Sequence, residues 1–125
     1  MSTFKKYTLP QKAGMRRILD AFKYSFDGFK SVLKSEAAFR EDLLVCVFLT
    51  PIVFMLNILP VERAFLIFVL ILILFAECVN TAIEVVIDRI STETNPLSKK
   101  AKDIGSFIVL LSYINAVIAW LIILS

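Results

Sequence analysis

Glu77, Asn80, Glu84 and Asp88 follow one another at intervals of three, four and four residues. In a helix that spacing brings all four to one face, with Thr81 on its border. Carboxylates and an amide in such a row can accept a proton, hold a hard cation, or bond to neighbouring helices. Their position makes the row unusual. The segment ECVNTAIEVVID follows directly on the apolar run AFLIFVLILILFA, residues 64–76. Three readings are open: polar glue between helices, an ion or proton path, and a reaction centre.

Depth separates the members of the row. Counting from Arg63 at about 1.5 Å per residue, Glu77 lies roughly 21 Å into a hydrocarbon core of about 30 Å, and Glu84 lies near its far boundary. The acids therefore run from lipid depth towards water. An unpaired carboxylate in lipid costs on the order of 3 kcal/mol, so Glu77 must face protein or a wet pocket.

The elements that hold this row are those of a small membrane protein. Of 125 residues, 58% are hydrophobic, and the mean hydropathy is +0.80. Residues 43–61 carry no charge, 64–83 carry only Glu77, and 104–125 carry none. The expected architecture is all-α in a single domain, 1–125, with a surface helix over about 11–34 and three spans over about 41–60, 63–90 and 102–125. In the surface helix Ile18, Leu19, Phe22, Phe26, Phe29, Val32 and Leu33 recur at helical spacing, while Arg16, Lys23, Asp27 and Lys30 fall largely on other faces. SEAAFRED, residues 35–42, is the hinge into the first span, and STETNPLSKKAKD, residues 91–103, reads as a polar, turn-rich connection.

Charge placement orients the chain. Lys5, Lys6, Lys12, Arg16, Arg17, Lys23, Lys30, Lys34 and Arg40 precede the first span; Arg89, Lys99, Lys100 and Lys102 lie between the second and third, and Arg63 alone lies between the first and second. Basic residues concentrate on the cytoplasmic side, so the N-terminus is expected in the cytoplasm and the C-terminus on the opposite side of the membrane. The basic residues read as headgroup contacts and not as a nucleic-acid surface. No cleavable leader is expected, since the first forty residues are charged throughout. Cys46 and Cys78 fall inside spans, which argues against a disulfide framework, and the absence of histidine leaves proton chemistry to carboxylates and lysines.

Glu36, Lys102 and Asp103 fall at the same cytoplasmic level as Glu84. Glu36 and Glu84 suit magnesium, which takes one or two carboxylates plus substrate phosphates, and a lysine there can neutralise a polyphosphate. The set suggests phosphoryl transfer at a membrane surface, with a metal-held nucleotide on the water side, a hydroxyl acceptor on the lipid side and Glu77 as base. Against it, three glycines cannot build a P-loop or a glycine-rich flap. Other roles also fit: Glu36 as a helix N-cap, Lys102 as a snorkelling anchor, Asp103 as a cap of the third helix, and Asp88 as a surface partner of Arg89 or Arg40.

SEAAFRED, ECVNTAIEVVIDRI and LSKKAKDIGS, in this order with three spans, resemble the prokaryotic diacylglycerol kinase family of small integral membrane lipid kinases, which includes the undecaprenol kinases. The pattern E-x-x-N-[ST]-A-I-E-x-x-x-D followed by A-K-D is specific, and the resemblance runs from about Arg17 to the C-terminus. It implies a homotrimer of three-span subunits with active sites shared between chains. The implied reaction moves the γ-phosphoryl of MgATP to the hydroxyl of diacylglycerol, giving phosphatidic acid; an undecaprenol acceptor is the alternative, and a small proton or cation conductor the alternative of another class. By matching position, Glu77 would be the catalytic base, and Glu36 and Glu84 would bind Mg2+ and ATP. Arg17, Tyr24, Glu93, Thr94, Asn95, Lys102 and Asp103 would complete the ATP site. Ala38, Phe39, Arg40, Asp42, Asn80 and Ser106 would serve the substrate, with Asn80 also orienting the site. Ser91 and Thr92 stand where a Gly-Ser pair is usual in that family, Asn95 where a histidine is usual, and Asp42 where a glutamate is usual.

Overall fold

The computed structural model describes residues 14–125. The expected helix start at Gln11, and Lys5, Lys6 and Lys12, lie outside the described residues. Among the described residues the chain is all-α: α1 (Gly14–Ser35), α2 (Ala37–Met55), α3 (Pro60–Ile90) and α4 (Pro96–Leu124), with no strand.

Each break has a local cause. Glu36, extended at φ −115° and ψ 109°, separates α1 from α2. Arg40 bonds back across this joint to the carbonyls of Leu33 (2.8 Å) and Lys34 (3.0 Å), satisfying groups that α1 leaves open at its end. A proline restricts the residue before it to extended backbone, and Leu59 before Pro60 has φ −66° and ψ 149°. Pro60 then opens α3, where its missing N–H costs nothing. Glu62 secures that start by accepting from the Leu59 N–H at 3.1 Å.

The α3–α4 connection is shorter than the sequence suggested. Asn95 caps α4 by accepting from the Leu97 N–H at 2.8 Å, and Pro96 occupies the first helical turn. LSKKAKD is therefore helical, and only 91–95 remain as the loop.

The chain divides into two units, the first ending at Ser31 and the second running Val32–Ser125. In the first, Ile18, Leu19, Phe22, Phe26 and Phe29 present exposed apolar surface, and the Lys30 ammonium sits 4.6 Å from the centre of the Phe26 ring. In the second, α3 is the central element, packed against α2 and more extensively against α4. Val69 and Ile73 of α3 meet Ala116 and Ala119 of α4, with Trp120 packed alongside. The two alanines let the backbones approach, as small residues do between membrane helices.

α3 and α4 are both long and apolar enough to cross a membrane. A core helix of a soluble protein passes the same test but would be mostly covered; here 33% and 17% of the apolar windows are buried. Phe65, Phe68, Ile71 and Phe75 point outward, an arrangement that lipid tolerates and water does not. α2 is different. Arg40, Glu41 and Asp42 occupy its first turns, and its uncharged part, Leu43–Met55, extends only about 20 Å at roughly 1.5 Å per residue.

Candidate active site

The polar stripe on α3 grades from inside to outside. Glu77 is buried at 8% exposure; Asn80, Thr81 and Glu84 are half-buried; Asp88 is exposed. Asn80 Nδ2 donates to Glu84 Oε1 at 3.4 Å, so two members of the stripe are joined one turn apart. The other end of the amide, Asn80 Oδ1, is buried without a hydrogen-bond partner and lies over Gly105 of α4. A Cβ at position 105 would collide with that oxygen. Gly105 thus admits Asn80 between the two helices.

Three helices converge on Glu77. The Asp42 carboxyl of α2 lies within hydrogen-bond reach of it, and the charges of Glu36 and Glu84 also act on it. Tyr113 of α4 donates its hydroxyl to Asp42 Oδ1, while Asp42 Oδ2 is buried and without a hydrogen-bond partner. A carboxylate so placed can exchange a proton with a neighbouring hydroxyl. Among the described residues no group of three or more His, Cys, Asp or Glu is placed to hold a metal ion.

A cleft of about 300 Å³ opens where α3 passes into α4. Glu93, Thr94, Asn95, Lys102 and Asp103 all line it, together with Asp88, Ser91 and Lys99. Lys102 Nζ reaches Asp88 Oδ1 at 2.8 Å, and Lys99 Nζ reaches Asp103 Oδ2 at 2.6 Å. Lys102 also feels the charge of Glu84, linking the cleft to the stripe. Ser91 Oγ accepts from the Glu93 N–H at 3.0 Å, which shapes the loop at the cleft's rim.

The remaining candidates are distributed more widely. Phe39 is buried at 4% exposure, whereas Ala38 and Arg40 are exposed, and Arg40 is engaged in closing the α1–α2 joint. Ser106 is exposed on α4 beside Gly105. Arg17 and Tyr24 are exposed residues of the first unit. Glu36 occupies the position before α2, but its side chain makes no cap bond; Asn95, not Asp103, caps α4; and Asp88 pairs with Lys102 instead of with Arg89 or Arg40.

Two contributors escaped the sequence reading. Tyr113 lies in an apolar span, where an aromatic reads as packing, although a hydroxyl at that depth needs a partner and so carries a signal. Gly105 looked like one of three scattered glycines; only the helix crossing reveals its contact with Asn80.

Comparison with known proteins places this geometry. Residues 23–124 match the family model described as prokaryotic diacylglycerol kinase. The chain belongs to the prokaryotic diacylglycerol kinase family. It is 42% identical over 113 residues to the diacylglycerol kinase of Pseudomonas aeruginosa, covering 90% of this chain and 92% of that protein. With the diacylglycerol kinase of Escherichia coli K12 it shares 40% identity over 111 residues, 89% of this chain and 91% of the other. The diacylglycerol kinase of Helicobacter pylori J99 is 36% identical over 121 residues, 96% and 92% of the two chains. Membership in the prokaryotic diacylglycerol kinase family makes the chain an ATP-dependent lipid kinase associated with a membrane. Every candidate residue except Arg17 falls within the span that matches this kinase family.

Proposed function

We propose that the chain transfers the γ-phosphoryl of MgATP to the hydroxyl of diacylglycerol, giving phosphatidic acid. The relatives bear the name diacylglycerol kinase. The observation that carries the reading is the gradient along α3, from buried Glu77 against Asp42, through Asn80 and Glu84, to Asp88 and Lys102 in an open cleft. A reaction between a lipid hydroxyl and a charged nucleotide needs a base at lipid depth and cations at the water edge, within one continuous site.

In this reading Glu77 accepts the hydroxyl proton as the lipid oxygen attacks. Asn80 steadies Glu84, while Lys102 and the rim residues Glu93, Thr94, Asn95 and Asp103 hold the nucleotide. The apolar groove that begins at Tyr113 and runs between Val45, Leu49, Leu70 and Trp120 suits an acyl chain. Arg17 and Tyr24 are assigned to the nucleotide, and Ala38, Phe39, Asp42 and Ser106 to the lipid.

Glu36 and Glu84 are assigned to a magnesium ion in this reading. Both are half-buried carboxylates, and among the described residues no group of three or more acids or thiols is placed to hold an ion, so phosphate oxygens would supply the other positions. When bound, the ion would offset the charge of the triphosphate.

The same reading has α2, extended by Leu56–Leu59, as a third span, the N-terminus in the cytoplasm, the protein in the inner membrane, and a homotrimer that completes each site with a neighbouring chain. A proton or cation path is disfavoured because residues 64–76 contain no polar side chain to carry it beyond Glu77.

The test is an acceptor panel. Purified protein in mixed micelles receives labelled ATP, magnesium and either diacylglycerol or undecaprenol. Label in phosphatidic acid is expected. Label only in undecaprenyl phosphate moves the acceptor to the polyprenol, and label in neither lipid, from folded protein, rejects the kinase assignment.

A further inference from the structure

Tyr113 belongs to none of the groups that would touch nucleotide or metal, yet its hydroxyl is the donor on Asp42. The ring lines the apolar groove with Val45, Leu49 and Leu70, so the hydroxyl is the one polar atom this residue brings to a greasy surface. In such surroundings a hydroxyl without an acceptor is costly, and the bond to Asp42 is correspondingly firm. Asp42 lies in the second turn of α2 and Glu77 midway along α3, so nothing local in either helix fixes one carboxyl relative to the other. The Tyr113 bond engages Oδ1 and leaves the buried, unpartnered Oδ2 on a carboxyl that abuts Glu77.

Resting on the kinase reading above, we infer that Tyr113 is a positioning residue. It holds the Asp42 carboxyl in one orientation, and that carboxyl in turn fixes the Glu77 carboxyl towards the lipid hydroxyl. The linkage runs α4 to α2 to α3, so the base is set by all three packed helices and not by its own rotamer alone. Misplacement of a base by a fraction of an ångström lowers turnover without weakening nucleotide binding, because the nucleotide cleft is built from other residues.

The variant Tyr113→Phe removes one oxygen and keeps the ring. The expected result is a fall in kcat of about tenfold, the scale of one lost bond to a charged group, with KM for MgATP changed less than about twofold. In an Asp42→Ala background the same change should cost little more, since Tyr113 acts through Asp42. An unchanged kcat in Tyr113→Phe, or a loss of equal size with and without Asp42, overturns the inference.

Infrared spectroscopy of the unliganded protein supplies a readout independent of any lipid. Carboxyl bands assigned with Asp42→Asn and Glu77→Gln should both move in Tyr113→Phe. If both move while no lipid is phosphorylated, the linkage stands and the kinase reading fails; if the Glu77 band stays in place, the linkage fails whatever the acceptor.

Discussion

Gly105 of α4 lies directly beneath Asn80 of α3, and a single added carbon would overlap the amide oxygen. The atom that must yield is the end of a side chain, so Gly105→Ala can be accommodated by turning Asn80 away. The stability cost should fall at the low end of overpacking, about 1 kcal/mol. The loss of activity should be larger, about tenfold in kcat, because Asn80 then leaves Glu84. Unfolding in detergent and steady-state kinetics on the same preparation check this; an active, equally stable Gly105→Ala enzyme would show that Asn80 has no positional role.

Lys102 and Asp88 give a second contrast. Their side chains are 42% and 60% exposed, and an ion pair so open to water contributes little to stability. Asp88→Asn should therefore leave the unfolding midpoint nearly unchanged. Lys102→Met should raise KM for MgATP by about tenfold or more, since the remaining cleft cation, Lys99, is held on Asp103. If Lys102→Met destabilises the fold and leaves KM alone, Lys102 is an anchor and not a nucleotide contact.

The assignment of Glu84 to magnesium predicts a separate signature. Glu84→Gln keeps size and hydrogen-bonding capacity but removes a charge from the donor set. The magnesium concentration for half-maximal activity should rise about tenfold, and excess magnesium should recover part of the rate. A variant whose loss is insensitive to magnesium would remove Glu84 from the metal site.

Arg63 tests stability away from the chemistry. Its guanidinium gathers the carbonyls of Val53 (2.5 Å), Leu56 (3.2 Å) and Ile58 (3.4 Å) where α2 ends, sharing that of Val53 with the Leu56 N–H. Arg63→Ala should cost about 2 kcal/mol with kcat unchanged, and Arg63→Lys should recover only part, since lysine lacks the fork that spans several acceptors. Unfolding by denaturing detergent is the measurement, and a loss below about 0.5 kcal/mol would contradict the capping role.

What the sequence made legible follows from periodicity. Glu77, Asn80, Glu84 and Asp88 share a face because a helix repeats every 3.6 residues, and their gradient from burial to exposure follows from their distance from Arg63. The gathering of Glu93, Thr94, Asn95, Lys102 and Asp103 around one cleft is similarly local, since a five-residue loop joins their helices. Contacts between helices were not legible. Tyr113 and Asp42 meet across 71 residues of chain, and neither residue type announces its partner. The early end of α2 was also hidden: an uncharged run continues to Val61, but the helix stops at Met55, Leu59 before Pro60 is extended, and Arg63 reaches back to the carbonyls at that end.

In the proposed reaction Glu77 takes the proton from the lipid hydroxyl. Glu77→Gln retains the shape of the side chain and cannot perform that step, so turnover in mixed micelles is the most direct measurement, with MgATP binding as its control. The expected result is a fall in kcat of about a thousandfold, at the middle of the range for a general base, with nucleotide affinity within about threefold of wild type. Turnover near the wild-type rate in Glu77→Gln would contradict it.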